Sequence, residues 1–227
     1  MSTSRDTRAA ADDIRARQQL LTGGAGYASS GTDPAYAPEP ERFGAYTHRE
    51  LWDLVHEAID PAALGEVAAA WESNATAIGT AFQAFSDCAN REFARWSGRS
   101  ADAALQATRA FARAGIDTSD VCRTVQHLME MNCEAAQSIR AAIPPPQEYH
   151  PMEDPAAEAV HGGARRMAYE ITAAAIQADV QDTMTYVYTP TMPASGDRVP
   201  RFTPPSEGPT DGRPPARPTS AGGGRAR

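Results

Sequence analysis

The sequence predicts an all-α fold: an elongated antiparallel helical hairpin, extended into a bundle by a lead-in helix and a third long helix. Three observations predict it. Apolar residues recur at steps of three and four over long stretches. Proline and glycine gather between those stretches. Helix-start signals stand where the stretches begin, as Thr-x-x-Glu once and Asp-Pro twice.

Residues 1–45 read as a short helix plus a flexible linker. In the helix, over 5–21, Ile14, Leu20 and Leu21 are the only large apolar residues, too few to bury it firmly. The linker is marked by Gly23-Gly24-Ala25-Gly26 and Pro38-Glu39-Pro40. A helical domain is expected over 46–189. Thr47-His48-Arg49-Glu50 has the capping-box spacing, in which hydroxyl and carboxylate each satisfy an orphan amide. Leu51, Leu54, Val55, Ala58 and Ile59 follow at helical spacing, giving a lead-in helix over 47–59. Asp60-Pro61 restarts the chain as N-cap and N1, where the missing N–H of proline costs nothing.

The first hairpin arm, 61–95, carries the row Leu64, Ala68, Trp71, Ala75, Ile78, Phe82, Phe85 and Ala89, which runs on to Trp96 in the turn. The second arm, 99–142, carries Ala104, Ala107, Phe111, Ala114, Thr118, Val121, Val125, Leu128, Asn132, Ala135, Ile139 and Ala142. That row keeps its phase across Gly115, which argues for one helix, bent there at most. Both rows are heptad-like seams suited to near-parallel packing. Trp71, Ile78, Phe82, Phe85, Phe111, Val125 and Leu128 are expected to form a seam facing a partner. Thr118 and Asn132 either fix register from buried positions or sit at a solvated edge. Met129, Met131, Cys122 and Leu105 flank this seam and suit either a partner or the third helix.

Pro144-Pro145-Pro146 stops the second arm. Asp154-Pro155 starts a third helix, expected to run to about Val187 with Val160, Ala164, Met167, Ile171, Ala175 and Val180 as its apolar side. Beyond it, 190–227 is rich in Pro, Gly and Arg and reads as disordered.

Between the arms lies Arg95-Trp96-Ser97-Gly98-Arg99-Ser100-Ala101. Gly98 can take the left-handed conformation that ends a helix, and Ser100 can cap the next. Trp96 either plugs the end of the core or offers an amphipathic ring to another molecule. A turn centred between Ser97 and Gly98 sets Cys88 opposite Ala107, Cys122 opposite Ser73 and Cys133 opposite Ala62. Cys122 and Cys133 are then ~16 Å apart on one helix, beyond the ~7 Å limit for a bridge. Buried free thiols are expected.

The net charge is −8 with no lysine anywhere, which speaks against a nucleic-acid surface. No apolar run approaches the ~20 residues of a membrane span, and the N-terminus lacks the apolar stretch of a secretory signal. Glu158-Ala159-Val160-His161 has the Glu-x-x-His spacing of di-iron bundles, with only Asp53-Leu54-Val55-His56 near it as a counterpart. The seams carry one carboxylate, Glu92, so no metal, cofactor or catalytic residue is expected.

A helix, Trp96-x-Gly98 and then Ser100-Ala101 opening a second long helix resemble the WxG and PPE families of actinobacterial type VII (ESX) secretion substrates. The stretches Thr47–Trp52, Asp60–Glu66 and Ala68–Trp71, and the ending Ile143-Pro144, are similar to the PPE-like version. The resemblance covers 46 to about 189 and lacks the Pro-Pro-Glu start. It implies a helical protein exported folded, paired as a heterodimer with a small helical WxG/PE-like partner and attended by a secretion chaperone and ATPase. Trp96 and Gly98 would form half of a bipartite export signal. The other half, Tyr-x-x-x-Asp/Glu, occurs here as Tyr46…Glu50, ahead of the hairpin, and Tyr149…Glu153, interrupted by Pro151. The functional copy is therefore expected on the partner. The destination implied is the cell surface or medium. The alternative is an intracellular scaffold or adaptor that self-associates through the same seams and stays in the cytoplasm.

Overall fold

A computed structural model describes residues 2–23, 31–34, 39 and 41–202. The order is α1 (Ser2–Gly23), a 3-10 turn (Phe43–Ala45), α2 (His48–Ala58), α3 (Pro61–Phe93), α4 (Arg99–Ala142), α5 (Pro155–Thr183), a π-helical turn (Met184–Tyr188), α6 (Thr189–Ser195) and a closing 3-10 turn. Among the described residues there is no strand, only an isolated bridge between Thr32 and Pro200. Among the described residues no helix is long and apolar enough to cross a membrane.

The helix starts are local chemistry. Thr47 accepts from the Glu50 amide while Glu50 accepts from the Thr47 amide, closing the capping box. Asp60 and Asp154 accept from Ala62 and Ala156, each at 2.9 Å, with Pro61 and Pro155 opening the first turns. α4 runs unbroken through Gly115 and ends at Ile143, whose backbone turns extended ahead of the three prolines.

The long arms α3 and α4 lie antiparallel. The Ser119 hydroxyl donates to the Ala75 carbonyl at 2.8 Å, and the Cys133 thiol to that of Pro61 at 3.2 Å. These bonds sit within a residue or two of the register expected from the Ser97–Gly98 reversal. No cysteine is bridged, but only Cys122 is buried; Cys88 is exposed and Cys133 half-buried. Gly115 has a packing reason to exist. A Cβ there would stand 2.2 Å from the Phe82 ring, so the glycine lets that ring lie against the α4 backbone.

The rod has two regimes. Over roughly its distal half, α3 and α4 cover each other alone. Over its proximal half, α1, α2, the end of α5 and α6 pack on α4, while α3 keeps α4 as its chief neighbour. One core cluster joins Phe43, Leu51, Val55, Ile139, Ile143, Val180, Met184 and Val187. A second joins Ile14, Leu128, Met131 and Ala135, with Met129, Met192 and Val199 against it. The methionines flanking the α4 seam thus meet α1 and the C-terminal segment.

Two expectations are corrected here. α1 is longer than expected and is not left idle: Ala11, Ile14 and Gln18 are buried, so few contacts on one stripe suffice to dock it. The segment after Thr189, expected to be disordered from 190, is helical through Ser195 and buries Thr191 and Ser195. Pro190 lacks an N–H and crowds the preceding turn. The chain widens to the π-helical turn, where the Thr189 amide bonds the Met184 carbonyl, and so carries the helix into the proline. Residues 203–227 lie outside the described residues.

Polar groups tie α6 in place. Asn132, buried, donates to the Ser195 hydroxyl at 2.9 Å, and Gln18 donates to the Thr191 carbonyl at 3.3 Å. Asn132 is thus buried and bonded to α6, and does not sit at a solvated edge. Thr118 is half-buried and bonds back to the Ala114 carbonyl of its own helix. Arg140 closes the other end: its guanidinium donates to the carbonyls of Val55, His56 and Ile59, at 3.2, 3.2 and 2.6 Å. It thereby satisfies orphan acceptors at the α2 C-terminus and neutralises its dipole.

Candidate partner-binding surface

The reversal at the rod's tip is built from backbone. Amides of Ala94, Arg95 and Trp96 bond carbonyls of Asn90, Glu92 and Phe93, tightening the end of α3. Gly98 then takes φ +101°, which L side chains rarely adopt, and serves as the N-cap of α4 without a side-chain bond. Ser100, expected as that cap, falls instead within the first turn of α4. Gly98 assumes the capping position because the reversal is completed two residues earlier than a serine cap would require.

Trp96 is 61 % exposed, with its ring edge-on to Phe93 at 5.2 Å. It leans on the tip and does not plug the space between the arms.

The seven residues expected to face a partner divide. Trp71, Ile78 and Phe82 are half-buried, and the Phe82 ring lies against the α4 backbone at Gly115. Phe85 and Phe111 are 41 and 51 % exposed, and their rings meet edge-on at 5.6 Å. Phe82 meets Phe111 in the same manner at 5.3 Å. Val125 and Leu128 are buried within the chain, and Leu128 is fully enclosed by Ile14, Met131 and Ala135. Placing those two on a partner-facing seam is thus corrected: α1 and the C-terminal segment occupy the row there. The same α4 row, covered over Val121, Val125, Leu128, Asn132, Ala135 and Ile139, runs on uncovered through Ala107 and Phe111.

At the rod's base, Leu54 and Val67 are 42 and 43 % exposed. They edge a cavity of about 380 Å³ that Val55, Leu64, Met184 and Tyr188 also line. The sequence pattern did not disclose this groove, because its walls come from elements far apart in the chain.

Neither Tyr-x-x-x-Glu match forms a helical pair. Tyr46 is extended and precedes α2, its hydroxyl donating to Glu41. Glu50 is committed to the capping box, whose two donors at Thr47 hold its carboxyl below the usual range. Tyr149 sits in the loop before α5 and donates to Glu158 at 2.9 Å and to the Gly162 carbonyl at 3.3 Å. The Arg166 guanidinium lies 5.0 Å from its ring centroid. Glu153, in the bend before Asp154, is not its partner in these bonds.

Glu158 serves this loop. It accepts from the Met152 amide at 2.9 Å and from Tyr149, which together depress its pKa. Its neighbour His161 is exposed. Among the described residues no group of three or more His, Cys, Asp or Glu could hold a metal ion.

No protein-family model matches the sequence, and neither the curated proteins nor the solved structures give a significant match.

Proposed function

We propose that the chain is a non-enzymatic, PPE/WxG-like substrate of a type VII (ESX) secretion system, which pairs through its hairpin with a small helical WxG/PE-like protein. One observation carries the pairing. The apolar row of α4 that this chain covers for itself near the base continues bare along the distal rod, where Phe85 and Phe111 stand half in solvent. Two helices sharing one stripe have little mutual burial for their length. A second helical pair laid on that flank makes a four-helix cross-section and removes the exposed rings from water.

The exposed Trp96 supports a recognition role for the tip, where a secretion chaperone or ATPase could read it. On this reading the complex forms in the cytoplasm and is delivered folded to the surface or medium. Coexpression with a small helical WxG/PE-like protein from the same genome tests it. The expected result is co-elution as a complex that protects α3 and α4 distal amides from hydrogen exchange. Separate elution, with distal exchange unchanged, overturns the pairing. A protein confined to the cell whenever its secretion system is active favours the scaffold alternative.

A further inference from the structure

α5 uses one face and leaves the other open. Gly162, Tyr169, Ile176 and Val180 turn inward, against the preceding loop and the core. At 3.6 residues per turn the opposite face carries Val160, Ala164, Met167, Ile171, Ala174 and Ala178, in steps of four, three, four, three and four. All six are exposed, and Val160, Met167 and Ile171 are 74, 64 and 66 % so. This is a coiled-coil seam about 27 Å long at ~1.5 Å per residue. Val180, grouped with this side in the sequence pattern, lies opposite it and is buried.

We propose that a second copy of this chain covers this stripe, α5 against α5 and antiparallel, with the two-fold axis passing level with residue 169. The order of side-chain sizes is self-complementary in that arrangement. Val160 faces the second copy's Ala178, Ala164 its Ala174, and Met167 its Ile171. The bulky pair fills the centre, the alanine layers let the backbones approach, and each Val160 is met by a small residue. An interface whose residues each contact their own counterparts in reverse order is what two-fold pairing requires.

Charge permits the approach. The chain carries −8, yet residues 156–178 hold Glu158, Arg165, Arg166 and Glu170, which balance. Arg165 pairs with Glu158 at 3.6 Å and Arg166 covers Tyr149, so these three charges are turned toward the loop. Glu170 flanks the stripe near the axis, where two copies meet as like charges. Glu170→Gln therefore tightens the pair. The stripe is separate from the α3–α4 flank, so this dimer and the proposed hetero-pairing stand or fall independently.

Sedimentation of the full chain across micromolar concentrations should show a monomer–dimer equilibrium. Ile171→Glu, at a position already open to water, should weaken it about a hundredfold by burying an unpaired charge, with helicity unchanged. In a Cys88→Ser background, Ala164→Cys and Ala174→Cys proteins should cross-link to each other through a short thiol-bridging reagent. Neither should cross-link to itself, because like positions lie ~15 Å apart along the antiparallel pair. A chain that stays monomeric, a dimer untouched by Ile171→Glu, or self-linking of Ala164→Cys alone would each overturn the proposal.

Discussion

Trp96 and Gly115 show how two residues of one rod carry different burdens. Trp96 is largely in solvent, so Trp96→Ala should alter stability by no more than ~0.5 kcal/mol, as surface changes do. If the secretion reading holds, the same change should abolish export, as read by immunoblotting of the medium. Export at the normal level would remove the tip from the signal. Gly115 is the reverse case. Replacing it by alanine gains ~1 kcal/mol of helix propensity but drives a methyl into the Phe82 ring, an overpacking cost of ~1–3 kcal/mol. Gly163, with open space where its Cβ would stand, has no such opposition. Thermal unfolding should place Gly115→Ala below Gly163→Ala, and the opposite order would mean that Phe82 swings aside freely.

At the scale of elements, the loop between α4 and α5 is a clasp organised by Glu158. The Met152 amide and the Tyr149 hydroxyl both donate to its carboxylate, while Tyr169 donates to the Gln147 carbonyl at 2.7 Å. Because these bonds favour the charged form, the folded pKa lies below the ordinary value. The contribution is therefore complete above the unfolded value of about 4.3 and is lost as pH falls through the depressed folded one. Protection of the Met152 amide from exchange should fall over that acidic range and be low at all pH in Glu158→Gln. A flat profile in the unaltered chain would mean that the loop is held by its rings. α2 is secured differently, through an amide-and-carboxylate box at its start and the Arg140 guanidinium at its end. The box was legible because its partners are three residues apart. Arg140 was not, because its acceptors lie more than eighty residues away.

At the scale of the whole molecule, the proximal half is a wrapped bundle and the distal half a bare two-helix rod. Burial follows that division: the fully enclosed Leu51, Val55, Leu128, Ile139, Val180 and Val187 all belong to the wrapped half. In the distal half the largest rings remain partly wet. A chain of this shape has its enclosed core at one end, and open apolar surface at the other, along α5 and in the groove edged by Leu54 and Val67. The distal rod and α5 are the surfaces through which it would meet a different protein and a second copy of itself.

The all-α class, the starts of α2, α3 and α5, the stop of α4 and the unbroken passage through Gly115 were fixed by residues close in sequence. Caps and prolines act within one turn, so their signal is local. Which stripe finds a cover was decided only by tertiary packing. Periodicity marks Val125, Phe111, Val160 and Val180 alike as apolar, yet two are enclosed and two stand open. The helix period records that a stripe exists and carries no information about how many neighbours reach it. The docking of α1 and α6 supplied that information for the base of the rod, through a few buried contacts contributed by the distant ends of the chain.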